Sequence, residues 1–474
     1  MDTPDKIPSA PGALPLLGHL LQLGRQPLEF LTSLPGHGDL LEIRLGPQPI
    51  ISACSPELVW HLLRESSTFD KGGAIYRSMG RLVGMDSLVT SLHEPHRRRR
   101  RLMQPAFSPK QLAGYTGPMV DIVAASTNAW QDGQIIDIAA AMEELSVSVT
   151  TRILFDTGLA DQDLEKVHGW MADFLAGLLP SMLTPSWLPR LPLPAQRRFE
   201  RAIAGLRSVA DKVIDQARRE GADGKSLLTA LLAARDEDGD RLSDGELRDQ
   251  VVALIAAGTE PTSTLLCWTF HLLADHPQIA RRLHAEVDQV LSGRTPAYGD
   301  LPRLGYTTRV LTEALRLYPT ALLATRVATC DTELAGRPIP KDTVVMYSPW
   351  TLHRRPELYP DPDRFDPDRW IPERAKDLPR GAFVAFGGGA RKCIADSFAM
   401  LQAALALAHI AGKWDFERLP HTTREPRIGF FIRPREPRLR LRKYPGIGTR
   451  IEPEHDSSTP GEDHEAGAGP DTRR

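Results

Sequence analysis

The sequence predicts a mainly α-helical protein with a small β region, and three observations carry that reading. Apolar residues recur at helical spacing from about 93 to 318, most clearly over 119–130, 138–155, 195–219, 246–273 and 277–291. The short apolar runs 40–45 and 49–53 are parted by Gly46 and Pro47, which predicts a hairpin, and 320–347 breaks into further short strands. Near the C-terminus a glycine-lined turn reaches Cys393 and opens into another helical stretch, 394–412.

In chain order, residues 1–18 are rich in Pro and Gly and read as an extended lead-in. The hairpin follows, then a helix from Pro56. Residues 180–195 carry Pro180, Pro185, Pro189, Pro192 and Pro194, which predicts a loop between two helices, either a stiff connection or a lid over a pocket. Residues 354–390, rich in Pro, Asp, Arg and Gly, read as irregular structure. Residues 1–450 read as one domain, and the charged, small-residue stretch 451–474 as a disordered tail.

With 474 residues, 41% of them hydrophobic, the chain can bury a large core. A net charge of −2 gives no case for wholesale nucleic-acid binding. Cys54, Cys267, Cys330 and Cys393 are too few and too scattered for a disulfide framework, which fits a reducing compartment. The apolar piece 14–23 is short and broken by Gly18 and His19, so neither a signal peptide nor a membrane anchor is expected, and the protein is placed in the cytoplasm.

The segment that decides function is Phe386-Gly387-Gly388-Gly389-Ala390-Arg391-Lys392-Cys393. Three glycines permit turns closed to other residues and let the backbone approach a flat cofactor. Cys393 stands just before a helix whose Ile394, Phe398, Leu401 and Leu405 share one face. A helix N-terminus favours thiolate over thiol, and the thiolate is the metal ligand. As an axial ligand to haem iron it favours O–O cleavage, and Arg391 could pair with a haem propionate. The competing reading is an inert buried cysteine; zinc is disfavoured because no second cysteine or histidine lies at ligand spacing.

This segment resembles the haem-binding motif of the cytochrome P450 superfamily, F-G-x-G-x-R-x-C. The departure is Ala395, where the family usually has Gly. The resemblance implies the P450 fold, with haem b held by Cys393 between a long central helix and the helix after the cysteine, and Phe386 and Arg391 beside it. Glu313-Ala-Leu-Arg316 puts two charges on one helix face and resembles the family's ExxR motif. Its third member is Arg369 in Pro367-Asp368-Arg369-Trp370, with Arg364 as a competing register. The implied role is a structural triad bracing the cysteine loop. In the basic run His96–Arg101, five consecutive arginines wrap a helix, so some must face inward and need partners. The resemblance gives His96 and Arg100 to a haem propionate, with Arg326 as a further propionate ligand. The outward arginines would offer a docking face for an acidic redox protein.

Ala257-Gly258-Thr259-Glu260-Pro261-Thr262-Ser263 resembles the family's oxygen-activation segment. The resemblance makes Gly258 the point of close approach to haem and Glu260 the acid of a proton relay. The family's Thr is Pro261 here, which has neither a hydroxyl nor an N–H and costs roughly 3 kcal/mol inside a helix. Either Pro261 is a simple kink, or the relay is altered and Thr262, Thr259, a water or a substrate hydroxyl substitutes. By the same analogy the substrate pocket takes Tyr76, Met79, Leu88, Phe174, Leu178, Ile255, Ala256, Leu322, Leu323, Phe430 and Phe431, an apolar set for a hydrophobic guest. The runs 11–19, 30–35, 38–46 and 69–73 are similar to actinobacterial sesquiterpene oxygenases of the pentalenene type. The expected activity is insertion of one oxygen atom from O2 into a terpene or similar secondary metabolite. A ferredoxin-type partner and an NAD(P)H-dependent reductase would supply electrons to a monomeric enzyme. The alternatives are a peroxide-using or rearrangement-catalysing haem-thiolate enzyme, a polyketide or macrolide hydroxylase, and a haem sensor or carrier.

Overall fold

The computed structural model describes residues 6–155, 161–183, 194–221 and 226–446. The proposed tail 451–474 and most of the proline-rich segment lie outside the described residues. The helix before that segment runs on to Leu183 through Pro180, so 180–183 is helical rather than loop.

The strands, in chain order, are β1 (Leu40–Leu45), β2 (Gln48–Ala53), β3 (Phe69–Asp70), β4 (Ile135–Asp137), β5 (Ala324–Ala328), β6 (Thr332–Leu334), β7 (Arg337–Ile339), β8 (Val344–Tyr347), β9 (Trp414–Arg418), β10 (Pro426–Ile428), β11 (Ile432–Pro434) and β12 (Arg438–Lys443). The expected hairpin is β1–β2, paired antiparallel from Leu40 opposite Ala53 to Leu45 opposite Gln48. It joins a five-stranded sheet in the order β1-β2-β8-β5-β3, in which only the β2–β8 pair is parallel. β8 pairs with β2 across the whole helical part of the sequence, and Asp70 of β3 bonds Arg391 of the cysteine loop.

Helices form the rest. Helix Pro56–Arg64 begins where expected, with Pro56 at its first position and the Ser55 hydroxyl accepting the Leu58 N–H at 3.4 Å. The helix expected over 119–130 is longer at its start and shorter at its end, Pro109–Thr127. Gly114, Gly117 and Pro118 hid its first half, but Pro109 opens it and Leu112, Tyr115 and Met119 are buried, so tertiary packing overrides propensity. Helices Ile138–Phe155 and Pro277–Leu291 coincide with the expected spans.

The central helix, Asp244–Asp275, carries 32 residues. A capping box starts it: the Ser243 hydroxyl accepts the Glu246 N–H and Glu246 Oε2 accepts the Ser243 N–H. It is the one helix among the described residues that is long and apolar enough to cross a membrane, and it is mostly buried as the core of this fold. Helices Ile138–Phe155, Gly305–Leu317 and Asp396–Ala411 pack on it. The helix passes through Pro261 without interruption. Proline there removes one backbone hydrogen bond and crowds the preceding turn. Pro261→Thr is therefore expected to stabilise the fold, by at most about 3 kcal/mol, seen as a higher thermal midpoint in circular dichroism.

Candidate active site: a cysteine-walled cavity

The cysteine loop is built by close approach. Gly387 and Gly389 hold φ of +68° and +61°, and a Cβ at Gly389 would fall 1.9 Å from the Leu63 carbonyl oxygen. Only glycine fits that contact and that backbone. The Cys393 N–H donates to the Phe386 carbonyl at 2.9 Å, closing the loop. Cys393 is exposed by area, but its surroundings are those of a buried group, because it opens onto an internal cavity rather than bulk solvent.

At this thiol, burial and the helix end act in opposite directions. Burial raises its pKa above the ordinary value; the Ala395 N–H opposes this, and Asp396, in the first helical turn, adds to it. A bound metal ion deprotonates a coordinating thiol outright, whatever the shift without it.

Phe386, Ile394, Ala395 and Phe398 continue the cavity wall on the cysteine side. One end is cationic: Lys71, Arg100, Arg326 and Arg391 line it, with the His96 ring among them. Lys71 was missed by sequence reasoning, although it lies in the Phe69–Gly73 run. Burial and the neighbouring Arg326 and Arg391 push its pKa down to about 7. Burial, with Arg391 and Lys71 beside it, pushes His96 down to about 3, so its ring is neutral. The Arg326 Nε is buried and has no protein partner. Arg391 donates to Asp70 at 2.5 Å and to the Ser91 carbonyl at 2.9 Å, so it ties the cysteine loop to β3 rather than standing free for a propionate. Arg100 faces the cavity and also donates to the Lys392 carbonyl at 2.6 Å. An excess of buried positive charge with an orphaned guanidinium N–H fits a ligand bearing carboxylates. A flat iron porphyrin with two propionates meets that requirement at one end and the sulfur of Cys393 on its face. Lys71, His96, Arg100 and Arg326 are the residues that would hold those propionates.

The rest of the arginine run, on helix His93–Met103, is largely neutralised. Arg97 pairs with Glu94 and Arg101 with Glu237. Arg98 pairs with Asp236 at 2.6 Å and Glu246 at 3.2 Å, and Arg99 with Asp86 at 2.7 Å and Glu246 at 2.9 Å. The inward arginines thus clamp the start of the central helix, and the expected unshielded docking face shrinks to a set of compensated pairs.

The structural triad is in place, and the register with Arg369 holds. Arg316 Nε and Nη2 each donate to Glu313 at 2.8 Å, and Arg369 Nε donates to Glu313 at 3.2 Å. Arg364 contributes only its carbonyl, to Arg316. Trp370 Nε1, unforeseen, donates to Glu313 at 2.9 Å.

On the central helix the cavity is lined by Gln250, Ala253, Leu254, Ala257 and Gly258. Of the expected oxygen-activation residues only Gly258 lines it. Thr259 donates its hydroxyl to the Ile255 carbonyl at 2.7 Å. Thr262 is buried outside the wall, as is Pro261's neighbour Glu260, which pairs with Arg433 of β11. Burial raises the Glu260 pKa, with the Arg433 guanidinium opposing it.

Of the expected substrate residues, two line this cavity and the others stand outside its wall. Tyr76 and Leu88 line the cavity; Met79 does not. Ile255 and Ala256 are out of phase with the wall, which repeats at 253, 254, 257 and 258. Phe174 stacks on Phe199, and Leu178 is also buried away from the cavity in the main core. Leu322 and Leu323 pack in a separate cluster near β1 and β2, and Phe431 bridges to Ala321 beside Phe430. Val89, Met103, Phe107, Thr150, Leu154 and Leu227 also line this cavity.

Gln250 positions part of that wall. Its Oε1 accepts the Leu88 N–H at 2.8 Å and its Nε2 donates to the Asp86 carbonyl at 2.7 Å. Gln250→Leu leaves the buried Leu88 N–H unpaired, at about 1–3 kcal/mol, and strips the part-buried Asp86 carbonyl of its donor. We expect ligand affinity to fall about tenfold or more in a spectral titration, with haem content retained.

Comparison with known proteins agrees with this geometry. The chain matches the cytochrome P450 family over residues 8–439. It is 45% identical to cyclooctat-9-en-7-ol 5-monooxygenase of Streptomyces melanosporofaciens, covering 88% of this chain and 90% of that one. It is 46% identical to cyclooctatin synthase of the same organism, covering 88% and 92%. It is 42% identical to pentalenene oxygenase of Streptomyces avermitilis, covering 91% and 96%. The crystal structure of the cytochrome P450DA heme domain superposes with a TM-score of 0.83 at 30% identity, covering 92% of this chain and 98% of that one. Haem b with a cysteine thiolate ligand is accordingly the cofactor, and the chain is a monooxygenase that belongs to the cytochrome P450 family.

Proposed function

We infer that this monooxygenase inserts one oxygen atom into a terpene. Away from its cationic end the cavity is walled by Leu88, Val89, Phe107, Leu154, Leu227 and Leu254. The observation that carries the reading is this apolar wall, in which the amide of the lining Gln250 is held to backbone through both Oε1 and Nε2. Such a wall suits a compact hydrocarbon and offers little to a sugar-bearing macrolide. The relatives named for pentalenene and cyclooctat-9-en-7-ol point the same way.

When bound, the thiolate-ligated haem supplies activation of O2, so that one oxygen atom enters a C–H bond or alkene and the other leaves as water. The protein's own residues hold the propionates, exclude water with the apolar wall and set the guest's orientation. Electrons come from a redox partner, for which we propose a ferredoxin-type protein with an NAD(P)H-dependent reductase. We propose a cytoplasmic monomer.

The test is a spectral titration of the holoprotein with pentalenene, cyclooctat-9-en-7-ol and a panel of macrolides. A low- to high-spin shift with the terpenes is expected. A shift with macrolides alone would overturn the terpene reading.

A further inference from the structure

Pro261 removes a hydroxyl from the central helix and also deletes the N–H that would bond the Ala257 carbonyl one turn earlier. Ala257 and Gly258 both line the cavity, so the loss falls where hydrogen-bonding groups are scarce. The neighbouring helix Ile138–Phe155 supplies one. Thr150 lines the cavity beside Gly258: a Cβ at Gly258 would lie 3.0 Å from Thr150 Cγ2 and 3.3 Å from its Oγ1.

The Thr150 hydroxyl is buried and has no protein partner. Its neighbour Thr151 follows the usual helical habit and donates to the Val147 carbonyl four residues back, at 2.8 Å. Thr150 makes no such bond to Ser146. One turn back along the same face, the Ser146 Oγ is also buried without a partner. Three residues before it, Glu143 pairs with Arg433 at 3.3 Å, and Arg433 also pairs with Glu260. Glu260 Oε1 is a third buried oxygen without a partner. Glu143, Ser146 and Thr150 recur at spacings of three and four, so they share one helix face. Arg433 is about a third exposed, so the outer end of this row meets solvent.

We propose that protons reach the cavity along this second helix, from the Glu143–Arg433–Glu260 cluster through Ser146 and Thr150, bypassing position 261. Buried oxygens without protein partners are met by ordered water, and water links groups too far apart to bond directly. Each hydroxyl accepts a proton on a lone pair as it releases its own, so protons move inward from solvent and no electrons move. The freed Ala257 carbonyl accepts a hydrogen bond from the water that Thr150 holds. This role rests on the monooxygenase reading.

The test uses full-length holoprotein carrying Thr150→Val, Thr150→Ser, Ser146→Ala, Pro261→Thr, or Thr150→Val with Pro261→Thr. The reduced, carbon-monoxide-bound optical spectrum comes first; loss of its thiolate form in the unsubstituted protein would sink the monooxygenase reading itself. The C–O stretch of the same complex, recorded by infrared in H2O and D2O, reports hydrogen bonding beside the bound carbon monoxide. Thr150→Val is expected to shift that stretch and abolish its D2O sensitivity, and Thr150→Ser to restore both. In turnover with pentalenene or cyclooctat-9-en-7-ol, Thr150→Val and Ser146→Ala are each expected to raise peroxide released per NAD(P)H about tenfold, the loss of one relay hydrogen bond. Pro261→Thr, which supplies a hydroxyl on the central helix itself, should restore coupling in the Thr150→Val background. Wild-type stretch and wild-type coupling in both Thr150→Val and Ser146→Ala would overturn the proposal. If Thr150→Val fails to fold, Ser146→Ala decides it on coupling.

Discussion

Cys393→Ser is expected to abolish monooxygenase activity while leaving the fold intact. Serine matches the shape of cysteine, and the loop is set by other contacts: the glycine approach to Leu63, the 2.9 Å bond from the residue-393 N–H to Phe386, and Arg391 bonded to Asp70 and Ser91. None of these uses the sulfur. What is lost is the soft anionic ligand. The site raises the pKa of a thiol by burial, and a hydroxyl begins far less acidic than a thiol. The electron donation that favours O–O cleavage then disappears. The thiolate form of the reduced, carbon-monoxide-bound spectrum should vanish, product formation should fall below detection, and the far-ultraviolet circular dichroism should match wild type. An unchanged carbon-monoxide spectrum would remove Cys393 as the ligand.

What the sequence makes legible is what depends on local covalent pattern. Phe386 to Cys393 can be read directly, because glycines at fixed offsets from one cysteine have few uses. Helices with strong apolar periodicity, such as Pro277–Leu291, are legible for the same reason. The choice of Arg369 over Arg364 also holds, although only the fold shows Trp370 as a fourth member. The cavity wall is much less legible. Ile255 and Ala256 miss it by one or two positions, because a helix of 32 residues buries nearly every face and periodicity alone does not fix its rotation. Leu322 and Leu323 pack instead on the cluster around β1 and β2, and Phe431 bridges to Ala321, contacts that form only when distant segments meet. The fate of the arginine run depends on Asp86, Asp236, Glu237 and Glu246, which approach only when distant segments pack. Lys71 and Thr150 carry no signal in their immediate sequence; their significance comes from which cavity they face.

Glu313→Ala is expected to have the largest effect on stability. Glu313 and Arg316 are both 0% exposed. The Glu313 carboxylate accepts from Arg316, Arg369, Trp370 and the Asp366 N–H. Removing it leaves the fully buried Arg316 guanidinium without its anion, a loss of about 3–5 kcal/mol. Whole domains are stable by only about 5–15 kcal/mol, so little folded holoprotein should accumulate. Arg369→Ala should cost less, because Arg369 is partly exposed and Glu313 keeps its other donors. The damage should reach the cysteine loop by a definite route. Arg316 donates to the carbonyls of His353 and Pro362, His353 Nδ1 meets the Arg316 carbonyl, and its Nε2 accepts the Val384 N–H at 3.1 Å. Burial with Arg316 nearby pushes the His353 pKa down to about 3, which keeps that acceptor nitrogen free. Val384 in turn accepts the Gly387 N–H, inside the cysteine loop. A double replacement separates the ion pair from this brace. Replacing a buried pair by apolar residues is often neutral when the pair is all that is lost. Glu313→Leu with Arg316→Leu also strips donors from the His353, Pro362 and Arg364 carbonyls. It should therefore remain clearly less stable than wild type in urea and give a low yield of the thiolate carbon-monoxide complex. Near-wild-type stability of the double variant would reduce the motif to a charge pair with no bracing role.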